Sequence, residues 1–117
     1  MDDSPANLFI LGEILSGIDR VGVIDKVLSG EEGIQKIIEM NERGKKAYDL
    51  ILIDMNMPTM DGIEVIKELK LLESKGSFNL STSKIYANSA IQEEMFKQIK
   101  DHRLFDGFRK IYLNNIL

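Results

Sequence analysis

Leu50-Ile51-Leu52-Ile53 is an apolar run with no polar alternation. A strand with one wet face alternates, whereas a strand covered on both faces reads as continuous Leu, Ile and Val. The run therefore predicts a parallel sheet with helices packed on either side. The neighbouring segments fit that architecture. Ser4-Pro5 reads as a helix cap and first helical residue, followed by Leu8, Leu11, Ile14, Leu15 and Ile18 at helical spacing, so a helix is predicted from about Pro5 to Ser16. Gly17 and Asp19 close it. Val21, Val23 and Val27 alternate as in a strand. Ser29 caps a second helix with Ile34, Ile37, Ile38 and Met40 on its apolar face. Asp61-Gly62 opens a third, with Ile63, Ile66, Leu69 and Leu72. Lys75 to Ser83 reads as a polar loop, and Lys84 to Asn88 as a short strand. Ser89 and Gln92 fit a capping box for a fourth helix that turns Ile91, Met95, Phe96 and Ile99 inward. Gly107 to Tyr112 reads as a last strand. Strands alternating with helices predict an α/β chain with right-handed crossovers and a doubly wound parallel sheet.

The 117 residues fit one domain, 1–117, with no internal repeat and no linker. A 44% hydrophobic content can build a core, and a formal charge of -4 argues against a nucleic-acid surface, which recruits Lys and Arg. The absence of cysteine excludes disulfides and thiolate metal sites. The acidic start lacks the basic and apolar regions of a signal peptide, and no apolar run approaches the roughly 20 residues of a membrane span. These features predict a soluble, cytoplasmic domain.

In a parallel sheet of this kind the site lies beyond the carboxyl ends of the strands. Asp54 follows the Leu50–Ile53 run, Ser89 follows the next strand, Lys110 lies near the end of the last, and Asp2-Asp3 stands at the start. A strand-end carboxylate can act as a nucleophile, and crowded carboxylates raise one another's pKa. A divalent cation relieves that repulsion, and Mg²⁺ suits a few oxygen ligands plus water. Simpler roles exist for the same residues. Asp2-Asp3 could complement a helix N-terminus, Ser89 could be a cap, and Lys110 a solvated surface residue. His102 reads as an exposed helix end, and Met55, Met57 and Met60 as loop packing.

The segment Asp54-Met55-Asn56-Met57-Pro58-Thr59-Met60-Asp61-Gly62 resembles the phosphoacceptor loop of the response-regulator receiver family, Asp-x-x-Met-Pro-x-Met-Asp-Gly, at every fixed position. Asp2-Asp3, Ser89-Ala90 and Lys110 extend the resemblance over nearly the whole chain. It implies a flavodoxin-like sheet and a two-component phosphorelay module. Asp54 would accept a phosphoryl group from a phosphohistidine of a histidine kinase or histidine phosphotransfer domain. Asp3 and Asp54 would bind Mg²⁺ directly, Asp2 through water, and the Asn56 carbonyl would add a ligand. Lys110 would pair with the phosphoryl group, Ser89 would donate a hydrogen bond to it, and Ala90 would leave room for the donor imidazole. Catalysis would extend at most to slow autodephosphorylation.

Three features depart from the family pattern. Only Met1 stands where the family has an apolar strand before the Asp pair. Ile111 replaces the Pro that follows the family's Lys, and Phe108 lies one residue closer to that Lys than is usual. The chain stops at Leu117, barely a turn into the expected last helix. The expectation is a flavodoxin-like sheet with its first strand largely missing and its last helix shortened, a fragment of a longer protein such as a hybrid kinase. Lys110 is expected to be misaimed, and self-association through the incomplete sheet is expected. The alternative function is a pseudo-receiver, an interaction module without productive phosphotransfer. A phosphatase of the haloacid dehalogenase type is disfavoured because Asn56 stands where those enzymes have a second Asp.

Overall fold

Local capping chemistry sets the helix starts. Ser4 Oγ accepts the Asn7 N–H at 3.2 Å, and with Pro5 at the first helical position it begins α1, Pro5–Ser16, which buries Leu8, Leu11 and Leu15. Ser29 Oγ accepts the Glu32 N–H at 3.1 Å and begins α2, Gly30–Glu42. Glu31 and Glu32 in its first turn complement the helix dipole, and Ile34 and Ile37 face inward. A reciprocal capping box between Asp61 and Glu64 opens α3, Gly62–Ser74, which buries Val65, Ile66 and Leu69.

The computed structural model describes residues 1–45, 48–89, 97–99 and 101–110, and for 89, 102 and 108–110 the backbone alone. Its sheet has three parallel strands in the order β1, Leu50–Asp54, then β2, Lys84–Ser89, then β3, Gly107–Lys110. A short 3-10 turn, His102–Leu104, precedes β3. The inward helix faces and the strands share one core. Ile53, Val65, Ile66 and Leu69 are fully buried in it and Ile85 nearly so. Burying a side chain of this size contributes about 1.5–3 kcal/mol.

Two expectations are corrected. Residues 21–27 form no strand, and Val23 is 88% exposed. A ladder needs several partner residues, and the backbone bond this segment makes to the first residues of the chain is the single one from the Asp2 N–H to the Val27 carbonyl, 3.1 Å. The loop from Lys75 to Ser83 is not polar throughout, because Phe78 and Leu80 are buried in the core. Glu73 accepts the Leu80 N–H, and the Asn41 amide donates to the Ser77 carbonyl at 2.7 Å, so the loop is pinned over the ends of α2 and α3. The inward face proposed for the fourth helix, Ile91, Met95 and Phe96, lies outside the described residues, as do Ile111, Tyr112 and the shortened last helix. Ile99 packs, partly buried, against the core.

Candidate metal centre

β1 ends on Asp54, which pairs with Asn88 across the ladder, and Ser89 pairs in turn with Lys110. The backbones of Asp54, Ser89 and Lys110 thus meet at one end of the sheet. The side chains of Ser89 and Lys110, and with them the expected misaiming of Lys110, lie outside the described residues.

Met1 brings Asp2 and Asp3 to the same end. Its ammonium donates to the Leu52 carbonyl at 2.7 Å, and its carbonyl accepts the Asp54 N–H at 2.9 Å. With the Asp2–Val27 bond, Met1-Asp2 fills the lane between β1 and residues 21–27. This is the place where the family resemblance puts a first strand. The Met1 side chain lies over Gly33 of α2, where an added Cβ would stand 2.5 Å from the Met1 Cε. A larger residue at 33 would have to displace the flexible Met1 thioether.

Asp2, Asp3 and Asp54 each present a carboxylate oxygen, and these atoms lie within 4.8 Å of one another. Asp2 is 1% exposed, Asp54 half-buried and Asp3 exposed. The Asp2 carboxylate accepts the Ser4 N–H at 2.9 Å on Oδ1 and the Asn7 side-chain amide at 3.4 Å on Oδ2. Asp2 therefore turns toward the helix N-terminus and stands in the acidic cluster at once.

The crowding registers on Asp54, whose carboxyl is pushed up to about 6. Burial is the largest cause, and the charges of Asp2 and Asp3 add to it. The Asn56 N–H, 3.2 Å from Asp54 Oδ1, and the Met1 ammonium pull the other way. Desolvation by burial holds the Met1 amine itself below its ordinary value.

The loop after β1 is fixed from beneath. Met55 and Met57 are buried in the core, and Met60 packs partly buried against it. The Thr59 hydroxyl donates to Glu31 at the start of α2, 3.0 Å. The Gly62 N–H donates to the Met55 carbonyl at 3.2 Å, and a Cβ on Gly62 would stand 2.8 Å from the Asp54 carbonyl oxygen. The Asp-Gly pair at 61–62 is thus a cap followed by a residue that must have no side chain.

Three carboxylates converging on one partly open point form a hard-oxygen donor set, which fits Mg²⁺ with several retained waters. Of the three carboxylates, Asp3 is exposed, Asp54 half-buried and Asp2 buried. Two contributors escape a reading of the sequence. Asn7 gives a weak signal, the one polar side chain in α1 before Glu13. Met1 gives none, because its contribution is through backbone groups.

Comparison with known proteins bears on the family and the fold. The response regulator receiver domain family matches residues 1–106. Hybrid signal transduction histidine kinase L of Dictyostelium discoideum is 34% identical over 90 residues, which is 77% of this chain and 5% of that protein. Signal transduction histidine-protein kinase BarA of Escherichia coli K12 is 38% identical over 72 residues, 59% of this chain and 7% of the kinase. The chain therefore spans a small part of the length of these relatives. Among solved structures, the receiver domain of the histidine kinase CKI1 from Arabidopsis thaliana, complexed with Mg²⁺ and BeF₃⁻, is 22% identical. It superposes with a TM-score of 0.74 over 93% of this chain and 76% of that one. The response regulator TrrA from Thermotoga maritima, in complex with Mg²⁺ and a beryllium fluoride, is 24% identical. It superposes with the same score, 0.74, over 97% and 84%. The fold is the flavodoxin-like, doubly wound α/β fold of these domains. By sequence, and with a fold that agrees, the chain belongs to the response regulator receiver domain family of two-component signalling.

Proposed function

We propose that this chain, as one receiver domain over 1–117, takes a phosphoryl group from a phosphohistidine onto Asp54. The observation that carries the reading is the convergence of the Asp2, Asp3 and Asp54 carboxylates within 4.8 Å at the end of a buried strand. Phosphoryl transfer requires mainly positioning and neutralisation of spread negative charge. Mg²⁺ bound by Asp3, Asp54 and the Asn56 carbonyl, with Asp2 acting through water, would supply that neutralisation. Asp54 then adds its carboxylate oxygen to phosphorus as the P–N bond to the donor imidazole breaks. The electron pair of that bond stays on the imidazole nitrogen, and solvent supplies its proton. Ser89 would donate a hydrogen bond to a phosphoryl oxygen, and Lys110 would pair with the phosphoryl charge. Their backbones face each other across β2 and β3 at this end.

The donor would be a histidine kinase or a histidine phosphotransfer domain, as befits a chain similar to segments of two such kinases. A cytoplasmic setting follows from such donors. Among the described residues no helix is long and apolar enough to cross a membrane. The test is Mg²⁺-dependent labelling of Asp54 by acetyl phosphate, read by intact mass. Labelling of the parent is expected, and Ser89→Ala should slow it. A parent that takes no label from acetyl phosphate or from a phosphorylated phosphotransfer domain would leave the pseudo-receiver reading standing in its place.

A further inference from the structure

We propose that Asn7 is a positioning residue for the metal centre: its side-chain amide aims the Asp2 carboxylate at the point shared by Asp3 and Asp54, and so sets the affinity for a divalent cation. The inference rests on the Mg²⁺ reading above and adds a residue to it.

Asp2 is 1% exposed, so bulk water does little to orient its carboxylate. Two donors hold it, one on each oxygen. The Ser4 N–H holds Oδ1 at 2.9 Å and the Asn7 amide holds Oδ2 at 3.4 Å. Together they define the carboxylate plane. The Ser4 contact is made by backbone at the start of α1, so it is fixed by the helix itself. The Asn7 contact is made by a side chain alone. The backbone of Asn7 is independently fixed, because its N–H already donates to Ser4 Oγ at 3.2 Å. The side chain is thus free of any capping duty.

At 3.4 Å the amide contact is long for an N–H···O bond. It steers Asp2 more than it stabilises the fold. Without it, Oδ2 would lose its only side-chain donor among the described residues while two like charges remain within 4.8 Å. The carboxylate would then swing away from Asp3 and Asp54. Groups that orient a metal's own ligands typically cost 10–100-fold in affinity when removed. Asn7 acts on Asp2, which reaches the ion through water, so its effect falls at the low end of that range.

The experiment compares the full chain with Asn7→Leu, which keeps the size and removes the donor, and Asn7→Gln, which keeps an amide. Mg²⁺ affinity is measured by calorimetry, and the melting temperature without Mg²⁺ is recorded for each. Asn7→Leu should bind Mg²⁺ more weakly, by up to about tenfold, with a melting temperature close to the parent's, and Asn7→Gln should recover part of the loss. In the parent, the ¹⁵N side-chain resonance of Asn7 should shift during the Mg²⁺ titration. Parent-like Mg²⁺ affinity in Asn7→Leu would overturn the inference while leaving the metal reading intact. A collapsed melting temperature in both variants, with an Asn7 resonance that ignores Mg²⁺ in the parent, would make the role structural and overturn it too. A parent that binds no Mg²⁺ would overturn the metal reading itself, and this inference with it.

Discussion

The two ends of β1 treat polar groups in opposite ways. At its amino end polar groups meet in donor–acceptor pairs. The Tyr48 hydroxyl donates to Asp25, the Ser83 hydroxyl donates to the Tyr48 carbonyl, and the Lys84 N–H donates to the Asp49 carbonyl at 2.9 Å. At its carboxyl end Asp2, Asp3 and Asp54 bring like charges within 4.8 Å, and Asp54 is pushed up to about 6. One end uses its polarity to close the sheet. The other holds an electrostatic conflict that a bound cation would relieve, which is how a binding site differs from a structural seam.

The sharpest way to break the comparison is Asp54→Asn. Loss of acyl-phosphate formation should be complete, because an amide is not an effective nucleophile here. Intact mass after treatment with acetyl phosphate and Mg²⁺ checks it, and equal labelling of variant and parent would refute the assignment. The same change should raise the melting temperature of the Mg²⁺-free protein at neutral pH by removing one of three crowded charges. The pH dependence has a definite sign. Folding raises the Asp54 carboxyl from 3.8 to about 6, so the folded state binds more protons than the unfolded state between those values. The contribution of Asp54 to stability is therefore full below the lower value and lost as pH rises through about 6. Melting without Mg²⁺ should show this decline in the parent and not in Asp54→Asn. Mg²⁺ binding should run the other way, weakening as pH falls through about 6, because the ligand must be deprotonated.

Next in size is Gly62→Ala. Its Cβ would stand 2.8 Å from the Asp54 carbonyl oxygen and 2.9 Å from the Met55 Cα, both backbone atoms with no rotamer to yield. Overpacking of this kind costs about 1–3 kcal/mol. Chemical denaturation should show that loss, together with slower labelling of Asp54 as the strand end is displaced. A variant as stable and as readily labelled as the parent would mean that the loop gives way without moving Asp54.

Much of this organisation is local and so legible in the sequence. The limits of α1, Pro5–Ser16, follow from Ser4, Pro5 and Gly17, and the motif from Asp54 to Gly62 marks a strand end, a loop and a capped helix. What escaped depends on distant partners. The alternation of Val21, Val23 and Val27 satisfies strand patterning, yet a strand exists only through a neighbour, and among the described residues a single backbone bond, from Asp2 to Val27, joins this segment to the start of the chain. Phe78 and Leu80 are apolar residues in a polar stretch, and only the groove over α2 and α3 decides that they are buried. Asn7 leaves only a weak signal, because nothing in the spacing tells which way the Asp2 carboxylate turns.

The smallest effect tests whether the two ends are separable. Tyr48 is half-buried, and its phenol is held above its ordinary value first by burial and then by the hydrogen bond to Asp25. Tyr48→Phe removes that bond and keeps the ring in the core edge. Asp25 is exposed, so water replaces the lost donor and the penalty of a buried orphan does not arise. The cost should be about 0.5–1 kcal/mol, a fall of roughly 2–5 °C in melting temperature for a domain of this size. Ser83 should be little affected, since it binds the Tyr48 carbonyl and not the hydroxyl. Mg²⁺ affinity and the rate of Asp54 labelling should match the parent's, because the changed atom lies at the opposite end of β1 from the carboxylates. A tenfold loss of labelling in Tyr48→Phe would show that residues 21–27, tied to Tyr48 through Asp25 and to Asp2 through Val27, carry strain from one end to the other. The seam would then belong to the site.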